Sequence, residues 1–534
     1  MNLPTPCFFL AWLVALSVCA GPAAVVRVEG RGFTVERFDE KARAFSNRDY
    51  AWTGVPPVLR GWQFTRVDGG GDPVIAVTPE ADGAIFLATT PGRASHDDKL
   101  VGWTLVRDWS FFYSTTPVAT RVRVFRREGK AGQRIEIPLL GWTRCLVLAP
   151  RLSGAPETES TTPDFGSVPG VVIDHAPARL KNYVGCPSIA VLADGRYVAS
   201  HSFFGGGPRR GRTVVFRSQD RGASWHRLSE VPGAAFSTLF AHRGALYLMG
   251  VGPRAAVTIW RSKDGGATWT EPRDHQSGVL LEGGKHHSST VPMIVHRGRV
   301  WRTMEDRGAP GRWPRYFRPF LMSAPVDADL LQAKNWTMSE RLTSTQKWLD
   351  GEFNGWLEGN AVVGPDGNMA NILRVDDWLG GHAAFIHYDE AGQKATFDPT
   401  RDIVEMPGGA CKFTIRFDPV SQCYWSLVNR VDEGIRAGRQ ATCVRNTLAL
   451  ISSPDLRAWT VRATILHHPD VIHHGWQYVD WHFDGEDMIA VSRTSFDDGC
   501  GGARNQHDAN LFTFHRIRGF RKAETMPQGG DTAR

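Results

Sequence analysis

Two stretches of this chain share one eight-residue pattern, Ser-x-Asp-x-Gly-x-x-Trp. They are Ser218-Gln219-Asp220-Arg221-Gly222-Ala223-Ser224-Trp225 and Ser262-Lys263-Asp264-Gly265-Gly266-Ala267-Thr268-Trp269, and they start 44 residues apart. Each follows a strand-like run, Thr213 to Arg217 or Val257 to Arg261, and precedes another. The residue types suit a tight turn: Asp bonds backbone N–H groups, Gly accepts a positive φ, and Trp anchors the loop on a large apolar face. A period in the forties built from strands and turns predicts a β-propeller.

A second periodicity is independent of the first. An apolar run, a Gly- or Asp-containing turn and another apolar run recur six times. The turns are Ala193-Asp194-Gly195-Arg196, His242-Arg243-Gly244, His296-Arg297-Gly298, Pro365-Asp366-Gly367, Asp418 to Gln422, and Asp484-Gly485-Glu486. Six hairpins predict six blades. Degenerate relatives of the turn pattern stand at Ser323 through Asn335-Trp336 and at Ser453-Pro454-Asp455 with Trp459. The last strand run, Leu511 to Arg516, has no following partner, so Val171 to Asp174 is expected to complete the final blade.

The chain has 534 residues, more than one average domain holds. Its 19 Trp, 28 Phe and 56 Gly, with little helical periodicity, point to an all-β protein. Residues 25–152 carry strand-like runs without the repeat and read as a separate β-sandwich-like domain. Residues 153–170, rich in Pro, Ser, Thr and Gly, read as a linker, 171–520 as the propeller and 521–534 as a tail. The apolar run Leu10 to Ala20 has the length of a secretory signal, giving a signal peptide over 1–20 and a secreted or periplasmic protein, with Cys19 as an alternative lipid-attachment point. No later segment has the length and apolarity of a membrane span.

A net charge of +7 is small for this length, and without blocks of like charge it argues against nucleic acid as a partner. Cys145, Cys186, Cys411, Cys423, Cys443 and Cys500 form no CxxC pair. His286-His287 and His473-His474 lack zinc spacing, and extended backbone sends adjacent side chains to opposite sides. Neither a metal nor a cofactor is expected.

In a blade of strands A to D, the A–B and C–D turns share one side, so the opposite face carries the starts of A strands and the ends of B strands. That face collects Tyr183, Cys186 and His201 from blade 1 and Arg254 from blade 2. Blade 3 adds His286, His287, Glu305 and Asp306; blade 4 adds Glu358, Asn360, Arg374 and Asp376. Blade 5 adds Lys412 and Asn429, and blade 6 adds Gln477, Tyr478, Asp480 and Arg493.

The repeated turns and three of these positions resemble the sialidase superfamily of Asp-box β-propellers. Sialidases place a Glu at the start of blade 4, an Arg at the end of its second strand, and a Tyr followed by Ser-Asp-Leu at the start of blade 6. Here Glu358 in Trp-Leu-Glu-Gly-Asn, Arg374 in Ile-Leu-Arg-Val and Tyr478-Val479-Asp480-Trp481 match. Over residues 171 to 520 the resemblance implies a six-bladed propeller and an exported, monomeric glycoside hydrolase. Its substrate would be a glycan, attacked from the end at an acidic or unusual terminal sugar. It implies Glu358 as base and Tyr478 as nucleophile, with Arg374, Lys412 and Arg493 as an anion clamp. From the face map, Arg254, His286, His287, Asn360, Gln477 and Asp480 join them as substrate contacts.

Two departures alter that expectation. Where sialidases have Arg-Ile-Pro in blade 1 this chain has Gly185-Cys186-Pro187, and the loop from His201 to Arg212, where they supply an Asp acid, holds no acidic residue. The acid then falls to His201 or Glu305. Two other functions suit the same residues: a polysaccharide lyase on a uronate-containing glycan with His201 as base, and a non-catalytic glycan-binding propeller.

Overall fold

The structure, a computed structural model, describes residues 23–90, 99–113, 119–154, 162–378, 380–432 and 439–523. The expected signal segment, Cys19 and most of the expected tail lie outside them. Among the described residues the regular structure is strand, joined by turns and single 3-10 turns. The chain divides into two compact units, Met1–Glu159 and Ser160–Arg534.

Unit 1 holds a four-stranded and an eight-stranded sheet. Along Val26–Arg31 the side chains Val26 and Val28 are buried and Arg27 is exposed, the alternation that a strand with one face on a core requires. Both sheets feed one apolar cluster. At its centre Phe38 meets Trp52, Phe64 and Phe111 edge-on, with ring centroids 5.7, 5.5 and 4.8 Å apart.

Unit 2 holds six antiparallel sheets of four or five strands. We letter the strands of each blade A to D from the hub outward. Blade 4, for example, runs Gly355–Val363 (A), Met369–Asp376 (B), His382–Tyr388 (C), with a D edge of Ala395–Thr396 and Ile403–Glu405. Blade 6 takes strands A, B and C from Gly475–Asp484, Asp487–Ser495 and Leu511–Ile517, and its D strand from Val171–His175. In that last pairing Val171 faces Phe514 and His175 faces Leu511.

The repeated turns are the C–D connections of blades 1 and 2, and they share one wiring. Asp220 Oδ1 accepts from Ser218 Oγ and Ser224 N at 2.8 and 2.9 Å, and Ser218 Oγ accepts from Gly222 N at 2.8 Å. In the second turn Asp264 Oδ1 accepts from Ser262 Oγ and Thr268 N at 2.7 and 2.9 Å, and Ser262 Oγ accepts from Gly266 N at 2.8 Å. The Trp indoles close the loops by donating to the Gly222 and Gly266 carbonyls at 3.2 and 3.1 Å. Gly222 has φ +94 and a Cβ there would run into the Phe514 ring, so the position admits only glycine. In blade 5 Asp455 takes up Ser453 Oγ and Ala458 N, and Trp459 donates to the Leu456 carbonyl, with Leu456 at φ 65 in the left-handed place.

The A strands join around the hub through side chains. Ser188 Oγ of blade 1 donates to Asp480 of blade 6 at 2.8 Å and accepts from Leu239 N of blade 2 at 3.0 Å. Thr238 Oγ1 donates to the Val291 carbonyl in blade 3 at 2.9 Å, and Glu305 of blade 3 accepts from Glu358 N of blade 4 at 2.8 Å. Asn360 of blade 4 accepts from Ile415 N of blade 5 at 3.0 Å, and Lys412 Nζ donates to the Val479 carbonyl of blade 6 at 2.9 Å. Every neighbouring pair is therefore bonded and the ring is closed.

The turn carboxylates make one consequence measurable. Bonds from the Ser224 side chain and backbone hold Asp220 down at about 2, and those from Thr268 hold Asp264 below the usual range. A depressed folded-state pKa stabilises the fold fully above the ordinary Asp value of about 4, and the stabilisation is lost as pH falls through the folded value. Asp220→Asn combined with Asp264→Asn is expected to lower the Tm at neutral pH and to flatten its fall between about pH 4 and 2. An acid limb as steep as that of the wild-type protein would show that these turns do not carry it.

Candidate active site

Three inner strands lose register near the end at which the A strands begin. The ladders shift between Ala235 and Thr238 in blade 2, Leu357 and Asn360 in blade 4, and Gln477 and Asp480 in blade 6. Inside each bulge one non-glycine residue holds a left-handed backbone: Phe236 at φ 49, Glu358 at φ 56 and Tyr478 at φ 56. Such conformations cost roughly 1 kcal/mol or more each and persist only where surrounding structure fixes them. The bulge re-aims a side chain that strict alternation would send into a blade interface. All three residues line one cavity of about 550 Å³.

Within that cavity Tyr478 is the focus of positive charge. The Arg493 guanidinium lies 4.8 Å from its ring centroid and 4.3 Å from that of Phe204, and Arg445 lies 5.7 Å from Tyr478. Burial and the negative charge of Glu358 push the phenol up to about 12, against the pull of Arg374, Arg445 and Arg493. Tyr478 is therefore a neutral phenol near pH 7. Glu358 Oε2 lies 3.2 Å from Arg374 Nη1, an ion pair without hydrogen-bond alignment. His287 and Arg493, expected as contacts, also line the cavity, as does Cys186, whose thiol burial pushes up to about 11. That thiol is no nucleophile at neutral pH.

Several expected site residues do other work. His201 is fully buried and absent from the cavity wall. Its Nε2 lies 2.8 Å from Asp174 Oδ2 and its Nδ1 3.1 Å from the Ser202 carbonyl, with Phe203, Phe216 and Phe512 around the ring. Strand alternation turns it into the interface of blades 1 and 6, where it clasps the D strand of blade 6. Glu305 is buried with both oxygens engaged, one by His287 and one by Glu358 N. Arg374 is Glu358's buried counter-ion and does not reach the open cavity.

Lys412 is a hub group: its ammonium donates to Thr414 Oγ1 at 2.7 Å and to the Val479 carbonyl, and burial pushes it down to about 8. Asp480 accepts from Ser188 Oγ, Ile189 N, Trp481 N and Arg416 Nη2, and Asn360 joins blades 4 and 5 through Phe413 and Ile415. Gln477 is buried and accepts from Arg445, so it orients that arginine. Arg254 is exposed beside Glu282 at 3.4 Å, and His286 turns away to the Ala255 carbonyl at 2.9 Å while His287 faces the cavity.

Other residues complete the wall. Arg210, Trp313 and His507 line the cavity, and Arg445 stands behind Tyr478. All four precede C strands. The B–C connections lie on the same side as the starts of A strands, which brings these residues to the cavity.

No protein-family model and no curated protein sequence matches this chain. Among solved structures, it is similar to an alpha-L-arabinanase of Penicillium chrysogenum complexed with arabinobiose, at 11% identity over 66% of this chain and 98% of that one, with a TM-score of 0.42. It is similar to a Hadza microbial sialidase at 11% identity over 92% and 99% of the two chains, with a TM-score of 0.44. A Trypanosoma rangeli sialidase in complex with sialic acid is similar at 14% identity over 63% and 54%, with a TM-score of 0.41.

The hub assignment of Asp480 is open to test. An Asn side chain has one acceptor oxygen and sets its NH₂ against donors, so Asp480→Asn should destabilise unit 2 by about 3 kcal/mol in denaturant titration. A raised KM at unchanged stability would return Asp480 to the substrate site.

Proposed function

We propose that the propeller unit is a retaining glycoside hydrolase that acts on an anionic sugar at the end of a glycan. One observation carries this reading: left-handed bulges in blades 4 and 6 deliver Glu358 and Tyr478 into a single cavity. Its volume of about 550 Å³ lies inside the range of small-ligand sites. Arg210 and Arg493 line it against one carboxylate, Glu358, which favours a negatively charged substrate.

A phenol near 12 is a weak nucleophile until its proton is removed. In the proposed reaction Glu358 takes that proton as Tyr478 Oη attacks the anomeric carbon, and the Arg374, Arg445 and Arg493 charges stabilise the oxygen as it becomes negative. A neutral nucleophile has a physical advantage with an anionic sugar, because the resting enzyme does not repel its substrate. Water then attacks the tyrosyl-linked anomeric carbon and retention follows from two inversions. The apolar run Leu10 to Ala20 supports export to a compartment where glycans are met.

Purified protein incubated with sialosides, rhamnosides and uronate polymers should release a saturated reducing sugar, read by mass spectrometry. Tyr478→Phe should keep the fold, since one hydroxyl is worth about 1 kcal/mol, while kcat falls by about a thousandfold or more. Near-normal turnover in Tyr478→Phe overturns the mechanism. An unsaturated uronate product would make the protein a lyase, and binding without any product would make it a glycan-binding propeller.

A further inference from the structure

The reaction proposed above needs a proton for the departing glycosidic oxygen, and neither His201 nor Glu305 can reach it. Two imidazoles line the cavity, His287 and His507. His507 has its Nδ1 2.8 Å from Asp508 Oδ1, but burial and Arg493 push its ring down, and its own carbonyl accepts from both Nε and Nη2 of Arg493, so a cation stands against it. His287 stands differently. It lies on the two-residue first segment of blade 3 strand A, His286–His287, whose alternation sends one ring to the Ala255 carbonyl and the other into the cavity.

Its ring is fixed in plane by Phe317, stacked at 4.7 Å, and by Phe236, 5.1 Å away. Phe236 is itself the left-handed bulge residue of blade 2. Nδ1 lies 2.6 Å from Glu305 Oε1, which leaves Nε2 without a hydrogen-bond partner among the described residues. The other oxygen of Glu305 accepts from Glu358 N at 2.8 Å, so the same carboxyl that orients His287 also pins the backbone of the base. The charged groups around the pair are Glu305, Glu358 and, within the field of Glu305, Arg302.

We infer that His287 is the catalytic acid of this site and Glu305 its positioning residue, an inference that rests on the glycosidase reading. One transferable proton belongs to the His287–Glu305 pair. As Tyr478 Oη bonds to the anomeric carbon, the bond from that carbon to the leaving oxygen breaks and its electron pair takes the proton from His287 Nε2. Nδ1 keeps its proton toward Glu305, and Glu358 holds the phenol proton. In the second step water gives a proton back to Nε2 while its oxygen bonds to the anomeric carbon, and the released phenolate recovers its proton from Glu358. The sum is addition of water across the glycosidic bond.

Leaving-group dependence separates this role from a structural one. Aryl and alkyl glycosides of N-acetylneuraminic acid and of glucuronic acid, one with 4-nitrophenol and one with benzyl alcohol as leaving group, provide the probe. For His287→Gln and Glu305→Gln, each checked for wild-type Tm, kcat on the benzyl glycoside should fall about a hundredfold or more, while the 4-nitrophenyl glycoside, which needs little protonation, changes less than about tenfold. Glu305→Gln should also abolish the downfield ring N–H resonance of His287, a signal read without turnover. Equal losses on both substrates, or no loss on the benzyl glycoside, overturn the acid assignment while Tyr478→Phe remains dead on both. Full activity of Tyr478→Phe, or a wild-type protein that cleaves neither glycoside, overturns the glycosidase reading and the acid with it. Should either variant lose its fold, His287→Asn and retention of the N–H resonance in the wild-type protein carry the same decision.

Discussion

Six strand edges converge on the axis of this propeller, and their polar side chains must be satisfied where little water reaches. The hub meets that demand with cross-blade bonds: Ser188 to Asp480 and Leu239, Asn360 to Phe413 and Ile415, Lys412 to Val479. Arg302 adds bonds to Ser288 Oγ and the Ser289 carbonyl, and Arg416 to the Trp481 carbonyl. A buried polar group without a partner costs about 1–3 kcal/mol, so each of these residues is committed to holding the ring. The cavity is built from what the hub leaves over. It begins where the inner strands bulge and their side chains are released from blade-to-blade duty.

The fold was legible because its signals are local. The Asp, Gly and Trp of each repeated turn bond within a few residues, so pattern and structure coincide at Asp220, Asp264 and, in shortened form, Asp455. The hairpins likewise declare themselves through turn chemistry. Val171 was readable as a closing strand only through the shortage of a partner for Leu511 to Arg516.

The site was legible only in part, since a one-dimensional map assigns residues to a face without saying which way each side chain turns. Tyr478, Glu358, Arg493 and His287 lie on the expected face and point into the cavity. His201, Asp480 and Asn360 share that face and turn into blade interfaces. For Glu358 and Tyr478 the difference is backbone geometry: φ is positive at both, and nothing in Leu-Glu-Gly or Gln-Tyr-Val announces it. Strictly alternating strands would have hidden both groups. Inner-strand bulges fall in blades 2, 4 and 6, strand A of blades 1 and 3 is broken into two segments, and strand A of blade 5 is a single regular run.

Blade 6 is assembled from chain segments made far apart in time. Val171–His175 leaves the ribosome before any of the five blades that follow, and at translation rates its partner Leu511–Ile517 arrives on the order of tens of seconds later. During that wait the nascent chain presents an unpaired edge, the kind of surface that recruits other chains. The strand carries its own protection. Its inner half is Val-Val-Ile, but it ends in Asp174 and His175, and Asp174 already has a partner in His201 of blade 1, which is synthesised next. The His201–Asp174 contact ties this strand to the first blade independently of its pairing with Leu511–Ile517.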